Sequence, residues 1–114
     1  MRCSGLCTSP EGITWEYLSQ EESDFLYHEI FVQQSYFQHI EVPEHCCIVD
    51  VGANIGLFSL FCAHAWRKCR IIAIEPLLPI YEVLRRNVSS FSNITTMQCG
   101  IGAYADESTF YYYP

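Results

Sequence analysis

The stretch Val49-Asp50-Val51-Gly52-Ala53-Asn54-Ile55-Gly56 restricts the fold more than any other part of the chain. It grows out of an apolar run, Cys46-Cys47-Ile48, and leads into a second one that begins at Leu57. A short apolar run closed by an acid predicts a strand over 46–51, buried on both faces as in a parallel sheet. The glycines predict a tight turn. Leu57, Phe58, Leu60, Phe61, Ala63 and Ala65 then predict a helix over 55–66, too apolar for a surface helix.

The same rhythm continues downstream. Residues 70–74 read as a second buried strand, halted at Glu75-Pro76. Pro79 suits a first helical turn. Ile80, Val83, Leu84 and Val88 mark one helix face, with Glu82 and Arg86 as an i,i+4 pair on the other. After a break over 89–92, residues 94–99 read as a third strand that turns out at Gly100-Ile101-Gly102. A polar turn at Asp106-Glu107 leads to a further strand over 108–113. Strands alternating with helices imply right-handed crossovers and a mainly parallel sheet. The fold class expected is α/β and Rossmann-like, in its first half.

Upstream, residues 1–14 contain Gly5, Pro10 and Gly12 and read as a loose leader. Ser19-Gln20-Glu21-Glu22 has the pattern of a capping box. Phe25, Leu26, Ile30 and Phe31 then predict an amphipathic helix over 20–32. Tyr36, Phe37 and Ile40-Glu41-Val42 suggest an extended piece stopped by Pro43. The expected organisation is a leader over 1–14, a helix and extended segment over 15–45, and a ligand-binding unit over 46–114.

With 114 residues the chain is one domain at most. Half its residues are hydrophobic and only 17% are charged, too apolar for a disordered segment. The net charge is −7, and Arg67, Lys68, Arg70, Arg85 and Arg86 form two small groups without a basic stripe. That balance argues against nucleic acid and anionic membranes as partners. The longest apolar stretch is too short to span a bilayer, and the first ten residues lack the apolar core of a signal peptide. Seven cysteines occur without a C-x-x-C pair. They read as reduced core thiols of a cytoplasmic protein. His28, His39, His45 and His64 share no ligand spacing, so no metal site is expected. The sequons at Asn87 and Asn93 read as chance matches.

The chemistry points to the glycine turn. Gly52 allows the backbone to turn tightly and lie close to a ligand, and Gly56 allows the helix start to pack against the strand. The free N–H groups of a helix start present partial positive charge to a carboxylate or phosphate. Glu75 stands at the end of the next strand, where a carboxylate can accept hydrogen bonds from a ribose diol. Together these features specify a nucleoside-bearing cofactor. A dinucleotide site requires G-x-G-x-x-G, whereas Asn54 here occupies the place of the middle glycine. Asp50 repels a phosphate and attracts an ammonium, which favours S-adenosylmethionine over NAD. Asp50 could instead cap the following helix or its turn.

These segments resemble the FkbM family of S-adenosylmethionine-dependent methyltransferases. The likeness rests on 49–56 and on Ala73-Ile74-Glu75-Pro76, with further matches at Leu84-Arg85-Arg86-Asn87, Asn93-Ile94-Thr95, Gly100-Ile101-Gly102 and Ser108-Thr109-Phe110-Tyr111. It runs from about Val42 to Pro114. The resemblance implies a class I methyltransferase fold, with Asp50, Gly52, Ala53, Asn54 and Gly56 lining the methionine end of the cofactor. Glu75 would hold the ribose, Pro76 would shape the wall beside it, and the turn at Gly100-Ile101-Gly102 would face the adenine. The implied reaction is methyl transfer to oxygen or nitrogen of a small molecule or sugar.

The family also continues with a fourth strand bearing D-x-E-G, which this sequence lacks. The expectation is therefore a fold cut short after its first half, with the strand over 46–51 left as an open edge. A missing second half or another copy of the chain would cover it. No catalytic base is identifiable. The alternatives are a non-catalytic cofactor-binding fragment or interaction module and, disfavoured by the missing glycine, an NAD-dependent oxidoreductase.

Overall fold

Ser9-Pro10-Glu11-Gly12 folds the chain back on itself in the computed structural model, which describes residues 4–37 and 40–102. Proline presets one backbone angle of this turn. Gly12 takes φ +88°, and its N–H donates to the Ser9 carbonyl at 2.9 Å. The turn joins β1 (Gly5–Thr8) to β2 (Thr14–Tyr17) in an antiparallel hairpin with Thr8 opposite Thr14. Much of the expected loose leader is therefore ordered structure. Its anchor is Trp15, buried in a stack with Tyr27 and Phe31. The Trp15 indole N–H donates to Ser23 Oγ at 2.8 Å, so its burial leaves no polar atom unpaired.

α1 (Gln20–Tyr27) starts at Ser19, whose hydroxyl accepts from the Glu22 N–H. It widens into a single π-helical turn, His28–Val32. The buried face runs through Ser23, Ile30 and Phe31, while Phe25 is 66% exposed. Phe25 thus departs from the expected apolar face, because the Trp15 hydrogen bond turns Ser23 inward instead. The extended piece expected after residue 33 is replaced by a 3-10 turn, Ser35–Phe37, which seats Phe37 against Phe58 and Phe61.

The second part alternates as expected: β3 (Cys47–Val51), α2 (Leu57–Ala65), β4 (Arg70–Ile74), α3 (Leu78–Val88) and β5 (Ile94–Met97). The three strands are parallel in the order β3-β4-β5, with Val49 opposite Ile72 and Ile72 opposite Thr95. Side chains alternate across a strand. Ile71 and Ala73 consequently share a face, Ala73 in a core with Leu57, Leu60, Val83 and Leu84 and Ile71 in a smaller cluster with Cys62 and Ala63. Burying a leucine as completely as Leu60 contributes about 1.5–3 kcal/mol. On its other side α2 meets the aromatic side chains of the N-terminal part through Phe58 and Phe61, which explains its apolar surface all round.

Burial of β3 on both faces is not found. Val49 and Val51 are 53% and 60% exposed, although Ile74, opposite Val51 in register, is buried. β3 is also an edge of the sheet among the described residues. Arg86 feels the Glu82 charge one helical turn away. Its guanidinium makes two bonds to the Glu16 carboxylate of β2, at 2.9 and 3.0 Å. Among the described residues no helix is long and apolar enough to cross a membrane. The expected turn at Asp106-Glu107 and strand over 108–113 lie outside the described residues.

Candidate functional site

The chain leaves β3 and reverses within five residues. Gly52, Asn54 and Gly56 all adopt left-handed backbone angles, at φ +70°, +56° and +101°. Such angles are cheap for glycine and tolerable for asparagine. The Ala53 N–H donates to the Ile74 carbonyl at 2.8 Å, and the Gly56 N–H to the Ala53 carbonyl at 3.0 Å. The turn is thus tied both to the end of β4 and to itself.

Glu75 completes the tie. Its Oε1 accepts from the Asn54 N–H at 2.9 Å, and its Oε2 from the Leu77 N–H at 3.1 Å. The side chain is only 6% exposed. The structure therefore brings the two sequence-selected features, turn and strand-end acid, into direct contact. One acceptor site on each carboxylate oxygen is thus committed to backbone.

Asp50 lies beneath the turn. Its Oδ2 accepts from the Ser59 hydroxyl at 2.7 Å, and the Ser59 backbone N–H adds a second bond. Ser59 is the third residue of α2, so Asp50 caps that helix from the strand. Burial pushes its carboxyl above the usual carboxylate range. The Ser59 hydroxyl opposes the shift, and the negative charge of Glu75 reinforces it.

Gly56 packs against α3, not against the strand. A methyl group added there would meet Leu84 and Val88. Space beside Gly52, in contrast, is open. Gly52 belongs to the floor of a cleft of about 350 Å³, lined also by Asp50, Ala53, Asn54, Gly56 and Tyr36. Leu26 and Ile30 form its N-terminal wall. Glu75 and Pro76 are not among the residues that line this cleft. The Pro76 carbonyl accepts from Gln98 Nε2 at 3.3 Å.

Several supporting residues carried little signal in the sequence. Asn87 is buried, and its amide donates to the carbonyls of Ile55 (2.7 Å) and Glu16 (3.0 Å) while accepting from the Glu16 N–H (2.7 Å). It holds the turn, α3 and β2 together. Its signal was a polar residue on an otherwise apolar helix face, and Ser59 stands out in α2 for the same reason. Glu22 accepts from Asn54 Nδ2 at 3.0 Å, which ties α1 to the turn.

No family model matches the chain, but individual proteins do. Methyltransferase sdnD of Sordaria araneosa is 35% identical over 105 residues, covering 90% of this chain and 40% of sdnD. The 31-O-demethyl-FK506 methyltransferase FkbM of Streptomyces tacrolimicus is 32% identical over 107 residues, covering 92% of this chain and 41% of FkbM. AMB antimetabolite synthetase AmbE of Pseudomonas aeruginosa is 37% identical over 107 residues, which are 5% of its length. The chain therefore spans about two-fifths or less of these relatives.

Two solved structures share the fold. TYW2 of P. horikoshii, in complex with MeSAdo, aligns with a TM-score of 0.59 at 17% identity over 88% of this chain and 37% of its own. Coclaurine N-methyltransferase, bound to N-methylheliamine and SAH, aligns at 0.54 with 18% identity over 62% of this chain and 22% of its own. Over most of its length, then, the chain is a homologue of methyltransferases that include FkbM, and it carries part of the α/β methyltransferase fold.

Proposed function

We propose that this chain holds the cofactor end of an S-adenosylmethionine-dependent methyltransferase acting on an oxygen or nitrogen of a small molecule or sugar. The observation that carries the reading is the contact between Asn54 N–H and Glu75 Oε1 beside a cleft floored by an open Gly52. The names of the relatives, and the SAH and MeSAdo in the two solved structures, support the same cofactor.

The residues present fit such a group. Gly52, Ala53, Asn54 and Gly56 form a cradle without bulky side chains, in which a methionine-type carboxylate could meet backbone N–H groups. Asp50 supplies a carboxyl to an ammonium. Glu75 and Pro76 lie just past the turn from the cleft, where the carboxylate's remaining lone pairs would take a ribose diol extending beyond Asn54. When bound, S-adenosylmethionine supplies a methyl group on a positively charged sulfur. The work of the residues named here is to fix its position, since such transfer depends on holding donor and acceptor in line. We place the protein in the cytoplasm, with the β3 edge, unpaired among the described residues, covered by further chain or a second copy.

Titration calorimetry of S-adenosylmethionine, with NADH as the comparison ligand, tests the reading. Saturable binding of the first ligand alone is expected, weakened about tenfold or more in Glu75→Ala, which loses charge-assisted bonds. A cooperatively folded chain that releases no heat, or that prefers NADH, would overturn it.

A further inference from the structure

The end of the sheet opposite the glycine turn holds a pair of thiols that the cofactor reading does not use. Cys46 immediately precedes β3, and Cys69 immediately precedes β4. The first residues of those strands, Cys47 and Arg70, are paired in register, so Cys46 and Cys69 stand opposite each other one step earlier. Their Sγ atoms are 2.9 Å apart.

Both backbones are held. The Arg70 N–H donates to the Cys46 carbonyl at 2.9 Å, and Asn93 Nδ2 to the Cys69 carbonyl at 3.2 Å. Neighbouring strands run about 4.8 Å apart, inside the Cα separation of roughly 4.4–6.8 Å that a disulfide tolerates. Cys69 is buried, with its thiol 3.4 Å from the Pro43 carbonyl, whereas Cys46 is half-exposed. One sulfur is thus open to a reagent, and the other is placed to react only with the first.

We propose that Cys46 and Cys69 are a reversible redox site that closes to a disulfide when the chain meets a small disulfide of the glutathione type. The Cys46 thiolate attacks one sulfur of the oxidant, forming a mixed disulfide and expelling one thiolate. The Cys69 thiolate then attacks Cys46 Sγ and expels the second. The two cysteine sulfurs lose two electrons, the oxidant is reduced to two thiols, and the two protein protons pass through solvent to those thiols. The bond formed encloses β3, the glycine turn and α2 in one covalent loop. The close Cys69 thiol holds the Cys46 thiol above its ordinary range. Closure therefore quickens as pH rises, because the thiolate is the attacking species.

The test is to incubate the folded chain with oxidised glutathione, block the remaining thiols, and map the cross-links by mass spectrometry. The expected result is loss of two thiols per chain and a peptide joining Cys46 to Cys69. A rise in Tm of about 10 °C should accompany it, reversed by dithiothreitol. Cys46→Ser and Cys69→Ser should each abolish that peptide, and Cys69→Ser should leave Cys46 trapped with glutathione attached. The mapping on the unaltered chain decides the matter even if a variant folds poorly. Persistent glutathione on Cys46, a cross-link to Cys47 or Cys62 instead, or no thiol loss would overturn the proposal.

Discussion

A methyl group placed at Gly56 would lie 2.7 Å from Cδ1 of Leu84. The N-cap residue of α2 therefore touches the middle of α3, and this contact fixes how closely the two helices approach. Gly56 is required twice over, since its φ of +101° is itself unfavourable for a side chain. Gly52 is required once. It has φ +70° but no heavy atom near the place a methyl would take.

The two glycines should thus separate stability from binding. Gly56→Ala combines strain with overpacking and should cost about 2–4 kcal/mol in urea denaturation. Adding Leu84→Ala should recover little, because the backbone strain persists and a cavity replaces the clash. Gly52→Ala should cost only about 1–2 kcal/mol, yet weaken S-adenosylmethionine in calorimetry by filling space at the cleft floor. Equal stability losses at the two positions would contradict this division.

Asn87 joins three elements through one buried amide. Asn87→Ala leaves the Glu16 N–H and the Ile55 carbonyl without their partner, and should cost about 2–4 kcal/mol. Disruption of the neighbouring ion pair by Glu16→Ala should have a much smaller effect, further reduced by salt, because that pair is largely exposed. Denaturation of both variants at low and high salt checks the ranking.

The alternating part of the fold was legible because its signals are local. The strand over 70–74 was located as found, and those over 46–51 and 94–99 differ by one or two terminal residues. The turn could be read because Gly52 and Gly56 bracket it, and Glu75 because it closes the next strand. The N-terminal hairpin was hidden by strands of only four residues, although Ser9-Pro10-Glu11-Gly12 is a turn pattern with a mechanism. Exposure of Val49 and Val51 could not be read, since an apolar run does not say what covers it. The capping of α2 by Asp50 through Ser59 rests on a contact across nine residues that spacing does not reveal.

Asp50 gives a pH dependence whose sign follows from its surroundings. Its carboxyl is raised by burial, against the opposing Ser59 hydroxyl and with reinforcement from the Glu75 charge. A raised acid binds its proton more tightly in the folded chain than in the unfolded one. Its contribution to stability is therefore fully present below the unfolded value, about 3.9 for aspartate, and is lost as pH rises through the folded value. Asp50→Asn keeps an oxygen acceptor for Ser59 but cannot ionise, so it escapes that loss. Wild type should fall in stability relative to Asp50→Asn as pH rises through this window, and the difference should be flat on either side. Comparison with the variant is needed because Glu16 is lowered, chiefly by its hydrogen bond with Arg86, and contributes in the opposite direction. Urea denaturation of both proteins across the acid-to-neutral range makes the measurement. A wild type that gains on Asp50→Asn with rising pH would show that the Ser59 bonds outweigh burial, and that the ionised carboxylate is the stabilised form.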